Sequence, residues 1–171
     1  LELHVVPATG PNAFLRARVV HEQSFPLLAG ELQSFMVDRF VGSTNVPKVA
    51  QGDEYVVPFG VDERLKVERV LVEHGEGKKG LFSGKISLQW RYRIDVQNLR
   101  EQAVELVLED RIPVSEYDKV EVKILDDTTE WTEERERGIV IWKRSLKGKE
   151  KASFKLEYAV AFPADDRPWG L

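Results

Sequence analysis

Along this 171-residue chain, apolar and polar positions alternate with a period of two. The clearest run is "ISLQWRYRIDV", where Ile86, Leu88, Trp90, Tyr92, Ile94 and Val96 share one face. Ser87, Gln89, Arg91, Arg93 and Asp95 take the other. Side chains alternate across a strand, so this is a half-buried strand with one wet face. At ~3.3 Å per residue it is about 36 Å long, roughly twice the usual strand, and must bend or serve two packing partners.

The pattern recurs. "SFKLEYAVAF" turns Phe154, Leu156, Tyr158, Val160 and Phe162 inward, and "DKVEVKI" sets Val120, Val122 and Ile124 against Lys119, Glu121 and Lys123. "AVELVLE" aligns Val104, Leu106 and Leu108, and "FLRARVV" aligns Leu15, Ala17 and Val19. In "LKVERVLV" the phase slips from Leu65 and Val67 to Val70 and Val72, which predicts a β-bulge. "GIVIW" is apolar on both faces, as a central strand is. Gly, Pro, Asn and Asp clusters separate the runs at short intervals, which points to an all-β sandwich or barrel. Only "DDTTEWTEERERG" hints at a helical turn, with Asp127 and Glu130 spaced as a capping box and Gly138 as a stop.

A weak internal echo divides the chain. "LRARVVHEQSFPLLAGEL" and "YRIDVQNLREQAVELVLE" each read strand, polar turn, strand. The expected architecture is an antiparallel immunoglobulin-like β-sandwich over residues 79–171. A smaller N-terminal β unit, residues 1–78, packs against its long 86–96 strand. One continuous module is the alternative.

Composition narrows the chemistry. A chain that is 42% hydrophobic and 32% charged has the balance of a folded globular domain, and a net charge of -4 gives no basic footprint for nucleic acid. Without cysteine there are no disulfides, thiol nucleophiles or thiolate metal sites. The longest apolar runs are far below the ~20 residues a membrane-spanning helix needs. The opening "LELHVVPATGPNAF" has no initiator Met, basic region or apolar leader, so it reads as a fragment whose upstream part lies outside the sequence. The compartment, cytoplasm or cell envelope, stays open.

The stretch that invites a catalytic reading is "EDRIPVS", with Asp110, Arg111, Pro113 and Ser115. A Ser115 nucleophile needs a base within reach and an oriented partner, and His4, His21 and His74 stand in no recognisable motif. Pro113 cannot donate to a ladder, so a strand end is the expectation. "GEGKKGLFSGK" has Gly75 and Gly80 spaced as in a phosphate loop, but Leu81 and Phe82 stand where Lys and a hydroxyl belong. His74 and Glu76 are too few for a metal site, and Asp126, Asp127, Glu130, Glu133 and Glu134 lack the ligand order of a calcium loop. No catalytic, cofactor or metal residue is assigned. Trp131 and Trp169 lie in polar segments and are the candidate partner-binding side chains, whereas Trp90 and Trp142 belong to strand faces and the core. With little apolar content, the 126–137 segment is expected to open most easily, followed by 75–80.

These turns carry a resemblance. "FPLLAG", "FVG", "GDE", "FGVDERLKVER", "GLF", "QNL", "DRIPVS", "GIVIW", "YAVAFP" and the closing "GL" follow one another in order. The series resembles, nearly end to end, the C-terminal domain of unknown function of mucoidy-inhibitor-type bacterial proteins. Met36-Val37-Asp38-Arg39 departs from it, standing where an Asp-Gly turn is usual. The resemblance implies a bacterial protein with an upstream β-rich domain and coiled coil, and no established biochemical activity. The expected function is a non-enzymatic interaction or structural module without cofactor, its partner another protein or that coiled coil. The alternative is a carbohydrate-binding or carbohydrate-processing domain of the cell envelope, with a glycan as ligand.

Overall fold

A computed structural model describes residues 1–76 and 85–165. The expected 75–80 turn, the 79–84 boundary region and Trp169 therefore lie wholly or partly outside the described residues.

The chain is an all-β sandwich. Its strands are β1 (Glu2–Val5), β2 (Ala13–Val20), β3 (Gly30–Met36), β4 (Arg39–Val46), β5 (Glu54–Val61) and β6 (Leu65–Glu76), then β7 (Ile86–Asn98), β8 (Val104–Arg111), β9 (Glu121–Ile124), β10 (Glu133–Arg135), β11 (Ile139–Leu146) and β12 (Lys151–Phe162). A six-stranded sheet runs β10-β11-β8-β1-β2-β5, and a four-stranded sheet runs β6-β7-β12-β9. The β3–β4 hairpin forms a third, two-stranded sheet. Neighbours are antiparallel except β1 and β8, which run parallel. Both large sheets mix strands from before and after residue 78: β1, β2 and β5 join β8, β10 and β11, and β6 joins β7.

The alternating faces meet between the sheets. Leu3 and Val5, Leu106 and Leu108, and Val140 and Trp142 project from one sheet, and Val67, Ile94, Val96, Phe154, Leu156 and Phe162 from the other. "GIVIW" is buried on both faces, as its composition predicts. The long strand β7 pairs with β6 on one side and with β12 along its whole length on the other.

Three local expectations are corrected. The bulge in β6 falls at Val72, between the Leu71 and Glu73 pairings, and not at the Val67-to-Val70 step. The inward phase of Leu65 and Val67 continues through Arg69, a charged residue on the core face. No helix is capped by Asp127 and Glu130; β10 and a short 3-10 turn, Glu136–Gly138, take that place. The expected loosely held segment 126–137 is tied down over residues 126–132. Thr129 N–H donates to Lys155 O at 3.0 Å in the four-stranded sheet, and Thr132 N–H to Ile141 O at 2.8 Å in the six-stranded one. The buried Thr128 hydroxyl donates to Glu157 O at 3.0 Å and accepts from Glu157 N–H at 2.9 Å. The segment ties the two sheets together along one side.

"DRIPVS" is where a strand ends, and Gly138 explains how. Ile112 N–H donates to Gly138 O at 2.9 Å, and a β-carbon on Gly138 would stand 2.7 Å from Ile112 O. Gly138 also has φ +68°, so only glycine fits without strain. "QNL" has a similar explanation. Asn98 is fully buried, and its amide donates to Gln102 O at 2.9 Å and Lys147 O at 3.0 Å, fastening two turns to one another.

Candidate functional site

Two features gather chemistry-bearing side chains: a polar and aromatic cluster between the sheets, and the tip of the β3–β4 hairpin.

The cluster begins with the inward charges of two strands. Alternation in β8 carries Leu106 and Leu108 inward and then Asp110, whose side chain is fully buried. Alternation in β6 carries Arg69 inward from the opposite sheet, with its side chain still 20% exposed. Arg69 Nε donates to Asp110 Oδ2 at 2.8 Å, and the other carboxylate oxygen accepts from Arg111 N–H at 2.8 Å. The Arg69 guanidinium also lies 3.6 Å from the centre of the Tyr92 ring. Burial pushes the Arg69 pKa down, but the hydrogen bond and charge of Asp110 outweigh it, so its pKa is raised. Burial, reinforced by the neighbouring Tyr92, pushes the Tyr158 phenol above its ordinary range. Asp110 is thus fully engaged in joining the sheets, which assigns the acid of "EDRIPVS" an architectural role.

From there aromatic rings cross the four-stranded sheet in one rung. His74 is paired opposite Trp90, and Trp90 opposite Tyr158. His74 and Trp90 stack at 4.7 Å between ring centres, and Trp90 and Tyr158 at 5.3 Å. Trp90 is half-buried and not a full core residue as expected, because here the inner face runs past the cover of the facing sheet: Leu71 and His74 are exposed. Trp90 therefore has a neighbour on each ring face, and no open platform remains on it.

The residues singled out from sequence do not converge on these features. Trp131 is not exposed: it is half-buried and packs on the core. The Ser115 hydroxyl accepts from Tyr117 N–H at 3.1 Å and donates to Tyr117 O at 3.3 Å, closing its own turn. His4 meets Glu109 at 3.1 Å, and His21 meets Phe25 O at 2.7 Å. Glu133 is hydrogen-bonded first by Arg135 and then by Lys143, which hold its carboxyl at about 2. Among the described residues, no three or more His, Asp or Glu side chains gather as metal ligands.

The sequence places a turn at Met36-Val37-Asp38-Arg39 but gives its apolar residues no role. Phe35, Met36, Val37 and Phe40 are all exposed, Val37 by 91%. Phe35 and Phe40 meet edge to face at 5.7 Å. Val37 has φ +56°, a left-handed conformation that β-branched residues rarely adopt. The signal in the sequence is a β-branched apolar residue, Val37, in a turn, where Gly, Asn or Asp is usual.

A family model described as "Domain of unknown function (DUF4139)" matches residues 6–164. The chain belongs to this family. The match takes in β2 to β12 and so includes the Arg69–Asp110 pair, the aromatic rung and the hairpin. The chain is also similar to Protein F37C4.5 of Caenorhabditis elegans, 27% identical over 119 residues. That alignment covers 70% of this chain and 21% of the worm protein, so the chain spans about a fifth of the curated relative it matches. No solved structure matches the chain. Among the described residues no helix is long and apolar enough to cross a membrane.

Proposed function

We propose that this DUF4139 domain is a non-enzymatic interaction module of a larger protein, with the β3–β4 hairpin as its contact element. The exposed tip carries the reading. Phe35, Met36, Val37 and Phe40 project from a hairpin that belongs to neither large sheet. Burying such side chains is worth ~1.5–3 kcal/mol each, so leaving them exposed wastes stability that a partner would recover. Phe and Met are also enriched in the cores of protein interfaces. Residues in strained backbone conformations cluster at functional positions, and Val37 is one. The resemblance to mucoidy-inhibitor-type bacterial proteins extends the reading to a coiled coil of the same protein as one such partner.

The carbohydrate alternative has less support. Sugar stacking needs an open ring face, and both faces of Trp90 are taken by His74 and Tyr158. A photo-reactive residue replacing Val37 in the full-length protein should crosslink to a polypeptide. Crosslinks confined to solvent, lipid or glycan would overturn the reading.

A further inference from the structure

Away from the hairpin, the two large sheets end in β9 and β10, and a cleft of about 380 Å³ opens between them. It is bounded by β9, residues 112–115 and the turn that follows β10. Its floor is the margin of the core. Ile112, Val120 and Val122 pack on that core, and Val114 stands 60% exposed beside them.

One wall presents main-chain groups without partners. Leu125 N–H donates to Glu157 O at 2.9 Å, one rung beyond the printed β9–β12 pairs and in the same register. Asn98 N–H donates to Glu150 O at 2.9 Å, likewise in the β7–β12 register. Hydrogen-bonded rungs alternate in an antiparallel ladder, so even-numbered residues of β12 bond to β7 and odd-numbered ones to β9. Val122 and Ile124 lie opposite the even-numbered Val160 and Tyr158. Their N–H and C=O groups therefore point out of the sheet edge, and no backbone partner meets them among the described residues.

The other wall is charged. Glu134 is paired opposite the inward Val140, so alternation turns it toward the cleft it lines. Neither Glu134 nor Glu136 has a hydrogen bond or ion pair among the described residues, whereas Arg135 is held by Glu133. Arg137 is the one unpaired cation of this wall among the described residues, so unpaired acid is in excess.

We propose that the cleft takes a short extended polypeptide segment, which adds a strand to β9. A second main chain supplies donors and acceptors at the spacing that Val122 and Ile124 present. Side chains of an added strand alternate, so every second one enters the cleft. Those beside Ile112 and Val120 are apolar, and those facing Glu134 and Glu136 are basic. β9 has only four residues, which limits the pairing to a short segment. This surface is separate from the hairpin tip and works without it.

Random linear peptides displayed on phage and selected against the chain supply the probe, which is then made synthetically. The strongest binder should carry Lys or Arg among apolar residues and should shift the amide signals of Val114, Val122 and Ile124 in the isotope-labelled chain. Val122→Pro removes an outward donor, and proline is tolerated where an edge N–H faces solvent. This variant should fold, by circular dichroism, and bind the peptide about tenfold more weakly or worse. Should it fail to fold, Val114→Lys sets a charge in the floor at an exposed position and should weaken binding as much. A selection that yields no binder overturns the cleft as a peptide site. So do peptides that bind a folded variant as tightly as the wild type, or that shift only the hairpin tip. That last result leaves the hairpin reading standing on its own.

Discussion

Arg69 on β6 and Asp110 on β8 meet at 2.8 Å across the two sheets, each occupying an inward position that alternation would otherwise give to an apolar side chain. Removing one member of a buried pair leaves the other uncompensated. Asp110→Ala should therefore cost about 3–5 kcal/mol, and Arg69→Met somewhat less, because Arg69 keeps partial access to water. The double variant Arg69→Met/Asp110→Ala should be more stable than Asp110→Ala alone. Urea melts of the four proteins give the coupling, and additive losses would mean that the pair does not act as a unit.

On the outer face of the four-stranded sheet, Arg91 bridges Glu157 and Glu73, each at 2.6 Å. The Glu157 side chain is only 5% exposed, so Arg91 neutralises a carboxylate with little access to water. The exposed Arg93, two residues on, pairs with the half-buried Asp95. Alternation makes the two arginines look equivalent, but Arg91→Ala should lower the urea midpoint clearly more than Arg93→Ala. Equal midpoints would mean that the Arg91–Glu157 bridge contributes no more than the Arg93–Asp95 pair.

The 126–132 segment should resist proteolysis in spite of its acids. Its backbone bonds to both sheets and its Trp131 packs on the core. Thr128→Val removes the hydroxyl that both donates to and accepts from Glu157 in a buried setting, and should cost about 1–3 kcal/mol. A first proteolytic cut inside 126–132 in the wild-type chain would contradict this tethering.

Stability should fall in two stages as pH drops. Burial, the largest influence on His4, pushes its pKa down, and the hydrogen bond to Glu109 only partly restores it. The unfolded chain then binds that proton first, so the contribution of His4 is complete above ~6.5 and is lost as pH falls through the lower folded value. Burial raises Glu2 and Asp62, but Arg16 and Arg18 around Glu2, and Arg64 and Arg100 around Asp62, outweigh it and depress both. Their contributions are complete above ~4 and are lost as pH falls through the folded values. Thermal melts against pH should show a shallow decline below ~6.5 that disappears in His4→Gln, then a steep one below ~4 that remains. A first decline persisting in His4→Gln would assign it to another group.

The sequence by itself determined the main alternating strands and their buried faces. Side chains alternate along a strand whatever its partner, so Ile94 and Val96, or Phe154, Leu156 and Phe162, could be placed inward before any pairing was known. It also determined that Pro113 follows a strand, because proline removes a ladder donor. Tertiary structure decided the rest, since pairing joins residues far apart in the chain. The phase of β6 looked broken at Arg69 only because a charge seemed out of place on an inward position. Its acid, Asp110, lies 41 residues away on the opposite sheet. Trp131 and its acidic neighbours look solvated in a linear reading, yet Lys155 and Ile141 supply the backbone partners that hold them down. The hairpin tip carries the opposite lesson. Phe35 and Phe40 are hydrophobic, and only the packing of the sheets shows that no element of the described fold is left to cover them.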